Sequence, residues 1–220
     1  MFLKTFRKSL RLGVVVLTVL CSSAWPKVPV LRAPPVTVSV HNDADISLGV
    51  LLHAESEASR IFRQSGLELR WLNCSPAPPA IKNSQNSEAP GQCSTADFPR
   101  HLQLRIVKRS LNLNEFAMGI SYLSADGIGC YSDLFYDRAL QIQEINKVSA
   151  ATILGHGIAH ELGHLLLGTN SHAPAGLMRS RWQPSDLANA SQGALLFSPL
   201  ESQEMRNRLS AWHTHAQDAW

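Results

Sequence analysis

The stretch "AHELGHLLLGTNSHAPAGLM", Ala159–Met178, decides how this chain folds. From about Ser149 to Leu167 the residues are apolar or small, with no proline, and the pattern predicts a helix. On that helix His160 and His164 stand four residues apart and share one face. Glu161 lies beside them, and from Val148 to Met178 it is the sole charged residue. A helix this apolar belongs in a core, where a lone carboxylate is costly without a partner. Gly168 follows, suited to end the helix in a left-handed turn.

Two imidazoles at that spacing can bind one metal ion from one side. Glu161 can then reach a water on it, which is the H-E-x-x-H arrangement. Neutral imidazole nitrogens hold zinc while leaving it net positive, so a bound water is acidified. A carboxylate can take the water proton and pass it to a leaving amine. A bland reading competes, in which Glu161 bonds to backbone among core histidines. Zinc also needs a third protein ligand. His172, in the loop after Gly168, is favoured for this. Glu201 and Glu204, on a later helix, are the rivals. His156 precedes His160 by four residues and reads as a core or outer-layer histidine. Met178 reads equally as a core methionine. "RSRW" after it can shape a pocket with Trp182 as a wall, or simply pack on the surface.

Working outward, "VTVSV" alternates Val36, Val38 and Val40 with polar residues, a strand pattern. "SLGVLLHAESEASRIFRQSG" reads as a helix capped by Ser47 and ended by Gly66. "LELRWLN" and "HLQLRIV" are further strands, and "FAMGISYL" and "CYSDLFYD" are two more, separated by "SADGIG". "SPLESQEMRNRLSAWHTH" can form a closing helix capped by Ser198; His213 and His215 in it look exposed. The order implies one α+β domain with a sheet-built first half.

The 220 residues are enough for one sizeable domain. Lys4, Arg7, Lys8 and Arg11, the apolar "LGVVVLTVL" and the small "SSA" read as a signal peptide, residues 1–24. The alternative is an uncleaved membrane anchor. Residues 25–35 are an extended lead-in, and residues 36–220 form the domain. The leader holds four of the 20 basic residues and no acidic one, so the net charge of +3 belongs to it. The remainder is slightly acidic and carries no nucleic-acid footprint. No other segment looks membrane-spanning. Cys74 and Cys93 bracket a Pro/Ser/Asn-rich loop, and a disulfide stapling 74–93 fits export. Cys130 is left over and reads as a small buried residue.

"HELGHLLLGTNSH" followed by "GLM" resembles the metzincin zinc endopeptidases, including the matrixin-like and archaeal-type branches. It is most similar to predicted metzincin-like proteases of soil bacteria. The resemblance implies zinc ligands His160, His164 and His172, general base Glu161, helix-ending Gly168, and Met178 under the metal. It implies a zincin-like domain with a mixed sheet, a backing helix and a long active-site helix. It also implies a sheet-edge strand for the substrate backbone, with "CYSDLFYD" the candidate and Tyr131 or Tyr136 lining the cleft. The chain departs from the family pattern: the glycine comes one residue late and the third histidine two. The expected function is an exported zinc endopeptidase, periplasmic or secreted, acting on peptide or protein substrates with Zn2+ as cofactor. The alternatives are a zinc amide hydrolase acting on cell-wall peptides, or a non-catalytic binding module stabilised by zinc.

Overall fold

The computed structural model describes residues 35–74, 92–109 and 117–217. The signal peptide, nearly all of the lead-in and the interior of the 74–93 loop lie outside the described residues. So do the side chains of His213 and His215.

Strand β1 (Val36–Asn42) turns Val36, Val38 and Val40 into the core, each no more than 2% exposed. Helix α1 (Leu48–Gln64) starts at Ser47, whose hydroxyl accepts from the Val50 amide, and buries Leu51, Ala54, Ala58, Ile61 and Phe62. Strand β2 (Leu69–Cys74) returns parallel to β1, and the indole N–H of Trp71 donates to Ser59 Oγ on α1 at 2.8 Å. Cys74 and Cys93 form a disulfide, and a short 3-10 turn spans Gln92–Ser94. Strand β3 (His101–Val107) pairs parallel to β1 on its other side and buries Leu102, Leu104 and Ile106 completely.

Strands β4 (Gly119–Tyr122) and β5 (Tyr131–Phe135) pair antiparallel, and β5 also pairs parallel with β3. The sheet order is therefore β2-β1-β3-β5-β4. This corrects the expectation for "CYSDLFYD". It is an inner strand, and the edge is β4, because the turn at "SADGIG" folds the earlier segment back outside it. Tyr131 is exposed on β5, and Tyr136 begins the next helix rather than standing on an edge.

Helix α2 (Tyr136–Asn146) follows β5 without a break. Helix α3 (Ala150–Leu167) begins at Ser149, whose hydroxyl accepts from the Thr152 amide at 3.1 Å. Sixteen of its 18 residues are buried, so it lies in the core between α1 and the strands β4 and β5. Helix α4 (Pro184–Ser191) and helix α5 (Pro199–Gln217) complete the chain. Among the described residues the result is a mixed five-stranded sheet with five helices, an α+β architecture. Among the described residues no helix is long and apolar enough to cross a membrane.

Candidate metal centre

Helix α3 delivers His160 and His164 one turn apart, at 6% and 4% exposure. Their Nε2 atoms are 3.1 Å apart. Gly168 then takes a left-handed φ of +67° and ends the helix. That turn lets Thr169–Ser171 redirect the chain, and His172 comes back over the pair. Its ring centroid lies 5.4 Å from that of His160 and 4.9 Å from that of His164. One ligand atom from each of the three histidines lies within 4.8 Å of the others. Among the described residues this is the group of His, Cys, Asp or Glu side chains able to hold a metal ion.

The hydrogen bonds fix which nitrogen faces inward. His160 Nδ1 lies 2.8 Å from the Leu177 carbonyl, and His164 Nδ1 lies 2.7 Å from the Thr169 carbonyl. A carbonyl only accepts, so both Nδ1 atoms carry the proton and both Nε2 atoms present lone pairs. Two lone pairs facing each other at 3.1 Å repel unless a cation lies between them. Tetrahedral zinc with Zn–N bonds of about 2.0–2.1 Å requires ligand nitrogens roughly 3.4 Å apart. The donor set therefore fits zinc with one position left open.

Burial pushes His160 down to about 3, helped by the neighbouring His164, and pushes His164 down to about 4. Burial also lowers His172. All three imidazoles are thus neutral near pH 7, the form that binds metal.

Glu161 is 3% exposed, on the α3 face turned toward β4. Burial pushes its carboxyl up to about 8, opposed by a hydrogen bond from Ser121. Ser121 Oγ is 2.8 Å from Glu161 Oε2. A Cβ on Gly119 would stand 2.7 Å from Glu161 Cγ, so only glycine leaves room for this side chain. Met178 is 1% exposed, and a Cβ on Gly163 would lie 2.9 Å from its sulfur. The methionine thus packs against α3 at Gly163.

The segment after Met178 is braced. Arg179 pairs with the buried Asp186 at 2.9 Å, and Asp186 Oδ2 accepts the Gln183 amide in a capping box. Trp182 donates its indole N–H to the Leu177 carbonyl at 3.0 Å, the same oxygen that orients His160. Its ring also meets His160 edge-on at 6.1 Å. Ala173, Arg179, Arg181 and Trp182 line a cavity of about 560 Å³.

His156 does not join the cluster. It is fully buried, its Nδ1 bonds the Thr152 carbonyl at 2.9 Å, and its Nε2 stands 3.7 Å from Glu57 Oε1. Glu201 accepts the Ser198 amide as a helix cap, and Glu204 is exposed on α5; neither meets the histidine pair.

No protein-family model matches the chain, and no curated protein matches it. Solved structures match the chain, and one of them shares its architecture. Archaemetzincin from Methanopyrus kandleri aligns with a TM-score of 0.51 at 16% identity, over 82% of this chain and 99% of that one. The fold is similar to that of this archaemetzincin. A zinc-dependent peptidase from Methanocorpusculum labreanum aligns with a TM-score of 0.49 at 12% identity, over 76% of this chain and 99% of that one.

Three parts of the centre escape sequence reasoning. The orienting carbonyls of Leu177 and Thr169 carry no signal, because every residue has one. Ser121 carried a weak signal. With Gly119 it forms a small, strand-alternating pair within a predicted strand, which is where a helix side chain can approach closely.

Proposed function

We propose that this chain is a zinc endopeptidase of the metzincin type, acting outside the cytoplasm. The observation that carries the reading is the neutral histidine triad on and beside α3, with Glu161 adjacent on the same helix. His160, His164 and His172 would hold the ion, and Met178 would support them from below. Bound zinc would acidify a water and polarise a substrate carbonyl.

The chain's own residues do the rest. The outer edge of β4, the last strand of the sheet among the described residues, offers backbone groups to an extended peptide, which is how a strand is added to a sheet. The cavity walled by Trp182 would take a substrate side chain. Glu161, held ionised by the charge of a bound ion, would take the proton of the attacking water and return it to the leaving nitrogen. The Cys74–Cys93 disulfide supports an oxidising compartment, in line with the leader-like residues 1–24.

The test is digestion of a denatured protein by the zinc-loaded chain without residues 1–24, with Glu161→Gln beside it and the peptides read by mass spectrometry. Cuts made by the native chain and absent with the variant support the reading. Zinc bound to both and cuts from neither would sink it, leaving the narrower amide hydrolase or the binding module.

A further inference from the structure

Glu161 is gripped by the edge strand, and the grip is a single hydroxyl. Ser121 lies on β4 with its side chain turned toward α3, 5% exposed. Its Oγ is 2.8 Å from Glu161 Oε2, 2.8 Å from the Glu161 backbone carbonyl and 3.0 Å from Ser132 Oγ, its cross-strand partner. It has one hydrogen and three oxygens within reach. The strand itself is held on the opposite face. Tyr122 donates its hydroxyl to Asp133 at 2.9 Å, and Asp133 takes a two-point ion pair from Arg105. The serine is therefore fixed in space and not carried on a loose edge.

We infer that Ser121 is a positioning residue for the Glu161 carboxylate, and that the edge strand and the general base are one mechanical unit. The inference rests on the peptidase reading above. A hydroxyl both donates and accepts. Ser121 donates to Oε2 when that oxygen is bare. It accepts from Oε2 when that oxygen holds the proton, and turns its own hydrogen to the Glu161 carbonyl or to Ser132. Both forms of the base keep the same place, with no rearrangement between taking a proton and giving it up. An ammonium at this position could only donate. The placement also puts a peptide that pairs with β4 on the strand that aims the base.

The test uses the zinc-loaded chain with its disulfide formed, as wild type, Ser121→Ala and Ser121→Thr. Peptide turnover is measured with zinc content and thermal melting. The carboxyl stretch of Glu161 is read by infrared difference spectroscopy, assigned by its loss in Glu161→Gln. Ser121→Ala is expected to lower kcat by roughly 10- to 100-fold, the size of a hydrogen bond to a charged group. KM and zinc content should stay within about twofold, since neither the cavity nor the histidines are touched. The infrared band should shift, and Ser121→Thr should restore both kcat and the band. Unchanged kcat and an unchanged band in Ser121→Ala overturn this inference and leave the peptidase reading standing. A loss shared by the threonine variant, or one that tracks zinc content or melting, makes the residue merely structural and overturns it too. No turnover by the wild type overturns both readings together.

Discussion

Two helices packed on the same sheet each bury a glutamate, and only one of the two stands next to the clustered histidines. Glu161 on α3 is 3% exposed and Glu55 on α1 is 4% exposed. Burial raises both carboxyls, Glu161 to about 8 and Glu55 to about 7. Their surroundings differ. Glu161 faces a serine hydroxyl at 2.8 Å on a helix that carries two of the clustered histidines. Glu55 has a long 3.5 Å contact from Asn73 to one oxygen, and its other oxygen has no hydrogen-bond partner. Burial and a shifted titration therefore do not mark a site by themselves. Convergence of other reactive groups does.

The contrast is open to direct attack. The largest effect should come from Glu161→Gln, which removes the proposed base but keeps the shape. Turnover should fall by roughly 10²- to 10⁴-fold with zinc retained, measured by peptide hydrolysis beside elemental analysis. Glu55→Gln should leave turnover unchanged; a comparable loss there would erase the distinction. Next come the ligands. His164→Ala should strip the zinc altogether. His172→Ala, losing the exposed loop ligand, should weaken affinity by more than the roughly 10- to 100-fold typical of an outer partner, in competition with a chromogenic chelator. Trp182→Phe removes the second donor to the Leu177 carbonyl and should cost roughly tenfold in zinc affinity, with kcat of the loaded protein little changed.

The smallest effect is one of stability. The folded Glu55 value lies above the unfolded one, so between about pH 4.5 and 7 the folded chain keeps a proton that the unfolded chain releases. Stability from this group thus declines as pH rises through that window and levels off above it. Glu55→Gln should abolish the decline. In urea titrations it should gain about 1–3 kcal/mol at pH 8 and little at pH 4. An equal gain at both pH values would trace the effect to packing instead of charge.

The same pair shows how far the sequence could be read. Glu161 stood out because nothing else charged lies between Val148 and Met178. Glu55 did not, since Glu57, Arg60 and Arg63 surround it in sequence and the helix reads as ordinary amphipathic surface. Helix α3 was legible from its cap at Ser149 to its glycine stop, and α1 and the valine and leucine strands were legible from their periods. Helix α2 was not. It starts without a side-chain cap directly after a strand, and only Ala139 is buried, so no apolar stripe announces it. Helix α4 is eight residues capped by Gln183, too short and too polar to register. The inner position of β5 was hidden as well, because pairing order is set by packing between distant segments. The histidines were legible for a different reason: local helical spacing places two of them, and one turn returns the third.

The shortness of the edge strand carries a consequence for what such a molecule would cut. Four residues of β4, at about 3.3 Å each, offer on the order of 13 Å of pairing. A chain laid along that length must surrender its own secondary structure there, while its neighbours on either side keep theirs. Susceptibility would then be set by how often a target opens one short segment. Two proteins sharing a cleavable sequence would be degraded at rates that follow their local unfolding equilibria.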